Sequence, residues 1–342
     1  MKHVIVCLLL VVCLAVPVSA ELAAPEVPEA GARLMPQETR DFGQALGEIL
    51  RDLLPVLTPH FYAALVTGGS LAAVCLLVSL IPGEGGRTAN LVGVVAASAL
   101  LLGSAGAMIR LGEQTVTDIS EYQKLLLPAM TTALAAQGGA TSAAALYAGS
   151  AAFNTLLSRL MVKLLIPVQY LFLAASMAGN VLESDFLKNL KDTMKGMLLW
   201  CLKTMLSLFT AYLGITGVVA GSADAAAVKA AKAAFGTLVP VVGSVLAEAS
   251  EAVLVGAGVL RGAMGVYGIL AILAVFLEPF CRIGIQYMIL KAASAFCGLF
   301  APKAVTTVIA DFSEVMRMLL GMTGAICVLG LVSTVCFLKG VG

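Results

Sequence analysis

Long uncharged apolar stretches alternate with short polar segments along most of this chain. Residues 53–83 carry no charge, and residues 61–81 are long enough as a helix to cross ~30 Å of hydrocarbon. A polar, Gly/Pro-rich turn at residues 81–88 separates this stretch from a second apolar stretch at residues 90–109. The pattern predicts a transmembrane helical hairpin.

A later uncharged run, residues 125–158, is too long for one straight transmembrane span. As a single helix it would be about 51 Å long, which exceeds the ~30 Å of a hydrocarbon core. We expect a break at Pro128 and at Gly138-Gly139, followed by a longer helix at about residues 141–158. Irregular backbone is not tolerated against lipid, so the break must be buried in protein or line a polar cavity.

Two pairs of prolines recur at one spacing inside matching apolar segments. Pro128 and Pro240 are 112 positions apart, and Pro167 and Pro279 are also 112 positions apart. Such a recurrence predicts an internal duplication. In membrane transporters, Gly/Pro-interrupted apolar segments at corresponding positions of two repeats mark a central site or pathway. We therefore expect proline-broken helices at the centre of a duplicated bundle.

Each predicted copy also contains a charged amphipathic connector before its last span, at residues 183–195 and at residues 302–317. Chance similarity between apolar helices would not require such connectors, so they strengthen the prediction of a duplication. Three crossings per copy would make the repeats inverted, whereas additional crossings around Pro128 and Pro240 would make them parallel. Lys and Arg are spread evenly over the loops, so the positive-inside rule leaves both arrangements open.

The first 20 residues have the pattern of a secretory signal peptide. Lys2 supplies the positive start, residues 4–16 the apolar core, and Val18-Ser19-Ala20 a small-residue cleavage site. An uncleaved anchor is the alternative. The acidic segment that follows predicts an exported linker, with a short amphipathic helix at residues 37–54.

The predicted fold class is all-α, a polytopic α-helical membrane protein with a cleavable signal peptide, an initial helical hairpin and an internal duplication. Its predicted divisions are a signal peptide at 1–20, an exported acidic linker with a short amphipathic helix at 21–59, a transmembrane hairpin at 60–110, membrane repeat 1 at 111–222 and membrane repeat 2 at 223–342.

Composition agrees with a membrane protein and excludes nucleic acid as a partner. The mean hydropathy is +1.00, with 60% hydrophobic and only 12% charged residues, which is outside the range of ordinary soluble domains. The 21 basic and 20 acidic residues leave a net charge of +1, so there is no basic field to hold phosphates. The lipid bilayer is the expected environment.

The sequence contains no motif typical of catalysis or of a cofactor site. HExxH, GxSxG, P-loop and GxGxxG patterns are all missing. The chain has two histidines, His3 and His60, and its eight cysteines include no CxxC pair. We therefore predict a protein that is not an enzyme and that uses no metal or cofactor.

Glu278 and Arg282 form the sharpest charged pair in the membrane region. Four residues apart, they share one helix face inside or beside an apolar stretch. Charges at membrane depth usually face the bundle interior and mark a pathway or a partner. In the alternative, Pro279 begins a new helix at the membrane interface and both charges lie at headgroup level. With the four prolines, this pair completes the predicted set of structural or pathway residues.

Residues 236–272, GTLVPVVGSVLAEASEAVLVGAGVLRGAMGVYGILAI, resemble the best-preserved stretch of the stage III sporulation protein AE family. The signal peptide, the acidic segment and the amphipathic connectors also resemble that family's layout, although the exported segment is short for the family. No catalytic or ligand residues are carried over from it.

The resemblance implies a multi-pass protein of the mother-cell membrane around the engulfed forespore. There it would belong to a channel-like, secretion-system-like complex with other membrane proteins, ring-forming proteins and an ATPase. That complex supports late forespore gene expression. The alternative function is a self-sufficient secondary transporter with a midplane site between duplicated repeats.

Overall fold

The computed structural model describes residues 24–36, 42–81, 86–182, 184–238 and 243–339, and for residues 86–87, 214–238 and 243–260 it describes the backbone only. Helix dominates these residues, and no strand occurs among them. The predicted signal peptide at 1–20 lies outside the described residues, as does Pro240.

Eight α-helices and one π-helical turn make up the described chain. They are α1 (Glu29–Ala32), α2 (Phe42–Ser79), α3 (Gly86–Ala136), α4 (Ala140–Leu160), the π turn (Met161–Leu165), α5 (Ile166–Leu182), α6 (Asp185–Leu238), α7 (Gly243–Cys297) and α8 (Lys303–Lys339). Within the described residues, α4, the π turn and α5 form one continuous rod.

Within the described residues, six rods are long and apolar enough to cross a membrane. They are α2, α3, the α4–α5 rod and α8 over nearly their whole lengths, Asp185–Leu213 of α6 and Arg261–Cys297 of α7. The structure is therefore all-helical with six candidate spans, as predicted for a polytopic membrane protein. The shortest complete rod, α8, has 37 residues and is about 55 Å long, so the bundle is taller than a ~30 Å hydrocarbon core.

Contacts at two levels of the bundle show that α3 and α8 run in the same direction. Near the start of both helices, a Cβ on Gly93 would lie 3.0 Å from Val305. Further along both, the amide nitrogen of Gln123 donates to the carbonyl of Ile326 at 3.5 Å. Helices joined by short connections run antiparallel, so α2, the α4–α5 rod and α7 run in the opposite direction.

The core of the bundle is centred on α8. The most apolar 18-residue window of α8 is 56% buried and that of α7 is 50% buried, against 22% for α2 and for α6. Phe312, Leu319 and Phe337 of α8 are fully buried. Large apolar side chains remain exposed on the outer surface, including Trp200, as expected for contact with lipid.

The prediction of a break at Pro128 is wrong, because this proline lies inside the uninterrupted helix α3, and Pro279 likewise lies inside α7. A proline in a helix removes one hydrogen bond, and packing of the flanking turns can outweigh that cost. Beside Pro128, Leu126 and Leu127 are buried in the core, which holds α3 in helical form. Pro128 itself is exposed.

The predicted break at Gly138-Gly139 is confirmed. Helix α3 ends at Ala136, and α4 begins at Ala140. Gly138 has a φ of 90°, in the left-handed region that favours glycine. The glycine pair, and not the proline, therefore ends the long helix.

Pro167 follows the π turn at the second position of α5. Proline has no N–H, so the carbonyl of Lys163, four residues earlier, cannot receive its usual helical bond. Widening of this turn is visible where the N–H of Ile166 donates to the carbonyl of Met161, five residues back. The helix expected at about 141–158 thus continues through a local bulge into α5, and the two form one rod.

The polar segments predicted as connectors are parts of longer helices. Residues 183–195 and 302–317 fall largely within the first turns of α6 and α8, and the polar residues 110–124 lie inside α3. The amphipathic helix expected at 37–54 continues from Phe42 into the first span as α2. Charged residues on a solvated face do not stop a helix.

Candidate functional site

The first turns of α6 and α8 carry opposite charges on the faces that meet. Lys191 and Lys195 are four residues apart on α6, and Asp311 and Glu314 are three residues apart on α8. These spacings place both members of each pair on one helix face. We refer to these four residues, with Ser176 of α5 and Arg317 of α8, as the ion-pair cluster.

Lys191 and Asp311 form the buried half of the ion-pair cluster. The Lys191 Nζ contacts the Asp311 Oδ2, and the side chains are 9% and 17% exposed. The hydroxyl of Ser176 donates to the same carboxylate oxygen. A buried charge is tolerated when it is paired and hydrogen-bonded, and Asp311 meets both conditions.

Glu314 forms the outer half of the ion-pair cluster. Its Oε1 lies 2.8 Å from the Nζ of Lys195. The Nε of Arg317 donates to both carboxylate oxygens at 3.0 and 3.1 Å, and Arg317 Nη2 contacts Oε1. A carboxylate held by a guanidinium fork is more rigid than one held by a lysine alone.

The ion-pair cluster joins three helices, α5, α6 and α8, near one end of the bundle. Its arrangement suits a fixed electrostatic joint. Within the described residues, no group of three His, Cys, Asp or Glu side chains is placed to hold a metal ion.

The ion-pair cluster was not predicted from the sequence, although both charged segments that form it were recognised. The connectors were identified as amphipathic, but their charges were not compared with each other. The signal that could have predicted the cluster is the opposite sign of the charges at corresponding places in the two connectors. Lys191 and Lys195 of the first connector face Asp311 and Glu314 of the second.

Glu278 and Arg282 lie one turn apart on α7, as their spacing predicts. The Nη1 of Arg282 is 3.4 Å from the Oε1 of Glu278, and both side chains are largely buried. His60 of α2 lies within electrostatic range of both charges. Arg282 Nε is buried and has no hydrogen-bond partner among the described residues. No new helix begins at Pro279, so that part of the alternative placement is wrong.

The described prolines do not share one buried site. Pro128 and Pro167 are exposed, on α3 and α5, whereas Pro279 is buried in α7. These three prolines therefore differ in their surroundings, and Pro240 lies outside the described residues.

Six long apolar helices, with paired charges buried between them, define a polytopic α-helical membrane protein. The sequence model of the family "Stage III sporulation protein AE" matches residues 83–339, most of the chain. The chain belongs to this family, which confirms the resemblance seen in residues 236–272.

A curated relative shows the same relationship. Stage III sporulation protein AE of Bacillus subtilis (strain 168) is 21% identical over 196 residues, which cover 57% of this chain and 49% of the relative. The matched region thus spans about half the length of that relative. No solved structure matches the chain.

Proposed function

We propose that this protein is an integral membrane component of a channel-like, secretion-system-like complex between mother cell and forespore. It would lie in the mother-cell membrane around the forespore and be needed for late forespore gene expression. The family match over residues 83–339 carries the sporulation role. The six candidate spans support a multi-pass location in the membrane.

The ion-pair cluster supports a role as a rigid membrane platform or conduit. It fixes α6 against α8, and α8 is the most buried rod of the bundle. Fixed relations between helices suit a platform on which other subunits assemble, because a preorganised surface lowers the entropic cost of association.

The proposed duplication is supported by the same joint. Its two connectors lie side by side at one end of the bundle, and the helices that they begin run parallel. This favours parallel over inverted repeats, since inversion would place the connectors at opposite ends.

The proposed partners are other membrane proteins and ring-forming proteins of the complex, with its ATPase. We propose no nucleic acid partner, no cofactor and no catalysis. The test is purification of the tagged full chain from crosslinked membranes of sporulating cells. Ring-forming proteins and the ATPase should copurify, and they should not copurify with a tagged, unrelated multi-pass protein. Recovery of the chain alone would overturn the proposal.

A self-sufficient secondary transporter is the second candidate, because the bundle interior contains fully buried amide and hydroxyl side chains such as Asn154 and Gln169. Purified protein in liposomes separates the two functions. Concentrative uptake of a defined solute without partners would favour the transporter, whereas its absence would favour the component of a complex.

A further inference from the structure

A row of neutral polar side chains lies inside the bundle, where α3, the α4–α5 rod and α8 meet. We call this row the polar seam. Its members are Ser120 and Gln123 of α3, Ser150 and Asn154 of α4, Gln169 of α5 and Ser333 of α8, each at most 1% exposed.

Hydrogen bonds and close contacts show that the polar seam crosses helix boundaries. The amide nitrogen of Asn154 donates to the carbonyl of Ser120 at 3.1 Å, which joins α4 to α3. The Gln123 amide reaches the Ile326 carbonyl of α8. Gln123 also lies so close to α8 that a Cβ on Gly330 would be 2.1 Å from its Nε2.

One face of α8 follows the polar seam along its length. Met322, whose sulfur accepts from the Gln169 amide at 3.0 Å, is followed at helical spacing by Ile326, Gly330 and Ser333. Asp311 lies on the same face of α8, three turns before Met322. From Asp311 to Ser333 the distance along the helix is about 33 Å, comparable to the thickness of a hydrocarbon core.

The polar seam contains more hydrogen-bonding capacity than the described protein groups satisfy. Six of its oxygens have no hydrogen-bond partner among the described residues: Ser120 Oγ, Gln123 Oε1, Ser150 Oγ, Asn154 Oδ1, Gln169 Oε1 and Ser333 Oγ. Unpaired buried polar groups are costly, especially in a membrane, so a row of them requires an explanation.

Helix packing alone does not explain these oxygens. Hydroxyl side chains that serve packing can bond to a carbonyl of their own helix, and Thr115, Thr323 and Thr334 do so at 2.7 to 2.9 Å. Ser150 and Ser333 make no such bond. Their hydroxyls are therefore free to bond to a molecule inside the polar seam.

Charge distinguishes what the polar seam can accept. Its side chains are all neutral, and at its end the charges of Lys191 and Asp311 cancel each other. An ion would find no counter-charge over most of the length, and a bare charge at low dielectric is strongly disfavoured. A small neutral molecule with hydrogen-bonding groups meets complementary donors and acceptors.

We propose that the polar seam is a path through the bundle for small, uncharged, hydrogen-bonding solutes. The structure shows the path closed, since its side chains are buried and Gly330 contacts Gln123. This inference deepens the proposed function and rests on it for the destination of the solutes.

Cysteine accessibility tests the position of the path. In a full-length variant with all eight native cysteines replaced, Ser150→Cys and Ser333→Cys are treated in membranes with iodoacetamide, a small neutral reagent. The matched control is Val328→Cys, on the outer face of α8. We expect the two cysteines in the polar seam to react about tenfold faster, because each opening of the path brings to these thiols the water that a thiolate needs, whereas the lipid around Val328 provides none. Equal or slower reaction at both positions would overturn the path.

Reagent charge tests the class of solute. Iodoacetate has nearly the same size as iodoacetamide but carries a negative charge. The ratio of the iodoacetamide rate to the iodoacetate rate is compared with the ratio at Leu299→Cys, which is 80% exposed. We expect the ratio at Ser333→Cys to be about tenfold higher than at this reference. Equal ratios would overturn the selectivity for neutral solutes.

The chain is expressed alone for these rates, so they do not depend on the sporulation complex. Loss of copurification would overturn the proposed function and leave the labelling rates unchanged. Unreactive cysteines in a chain that still copurifies would overturn only the path.

Discussion

Lys195 of α6 lies 2.8 Å from Glu314 of α8, one helical turn from the buried pair of Lys191 and Asp311. Both pairs advance in the same direction along the two helices, so α6 and α8 are parallel and their register is fixed at two points. The two amphipathic segments seen in the sequence are thus halves of one electrostatic joint.

Removing one charge of the buried pair should destabilise the bundle strongly. Lys191→Met leaves Asp311 with Ser176 alone, and breaking a buried pair costs about 3–5 kcal/mol. The double variant Lys191→Met/Asp311→Leu should recover most of that loss, because no unpaired charge remains. Thermal unfolding of the purified full chain in detergent measures both. A double variant as unstable as the single one would contradict the pairing.

An exposed pair on the same helix provides the matched control. Asp185 pairs with Lys188 at 2.8 Å, but its side chain is 88% exposed. Water and salt screen such a pair, so Asp185→Asn should leave thermal unfolding unchanged. A loss equal to that of Lys191→Met would show that burial is not the cause.

Gly149→Ala should separate α4 from α6. A Cβ at this position would lie 1.8 Å from the ring of Tyr212, whose hydroxyl donates to the Ala145 carbonyl at 2.7 Å. The ring cannot move without losing that bond, so we expect a loss of about 1–3 kcal/mol in unfolding free energy. Gly103→Ala is the control, since no atom lies within 4 Å of its added Cβ. It should be neutral or slightly stabilising, and equal losses would contradict the contact.

Replacing Pro128 and replacing Gly138 with alanine should change the stability of the protein in opposite directions. Pro128→Ala restores a helical hydrogen bond within α3, so we expect stability to rise, by up to about 3 kcal/mol. Gly138→Ala forces a side chain into the left-handed region and should cost about 1 kcal/mol. Thermal unfolding of the two variants decides this. Destabilisation by Pro128→Ala would indicate that the proline has a role in the fold that this geometry does not show.

Arg282→Ala should lower the thermal stability of the protein more than the combined Arg282→Ala/Glu278→Ala variant does. The single change leaves the carboxylate of Glu278 largely buried and unpaired, whereas the double change removes both charges. A double-mutant cycle on thermal stability should give a coupling of about 1 kcal/mol. An innocuous Glu278→Ala would argue against a buried pair of any importance.

The fold class and one break could be predicted from the sequence because their signals are local. Uncharged runs predicted spans, and Gly138-Gly139 predicted the end of α3. The break expected at Pro128 was wrong because packing of the flanking turns keeps α3 helical through this proline. Tertiary packing is not visible in a local pattern.

The ion-pair cluster and the polar seam could not be predicted with the same local reasoning. Lys191 and Asp311 are 120 positions apart, and their pairing depends on how α6 packs on α8. Asn154 lies in an apolar stretch and Gln123 in a polar one, and a single amide does not reveal which helix face is buried. The opposite charges of the two connectors were the one signal that could have linked Lys191 to Asp311.

The most direct test of the account is deletion of the gene in the sporulating source organism. Forespore size and a late forespore reporter gene are followed by microscopy after engulfment, with the intact gene restored at a second locus as the control. We predict small forespores and loss of late reporter expression, both reversed by the restored gene. Normal forespores with full late gene expression would contradict a role in the complex between mother cell and forespore.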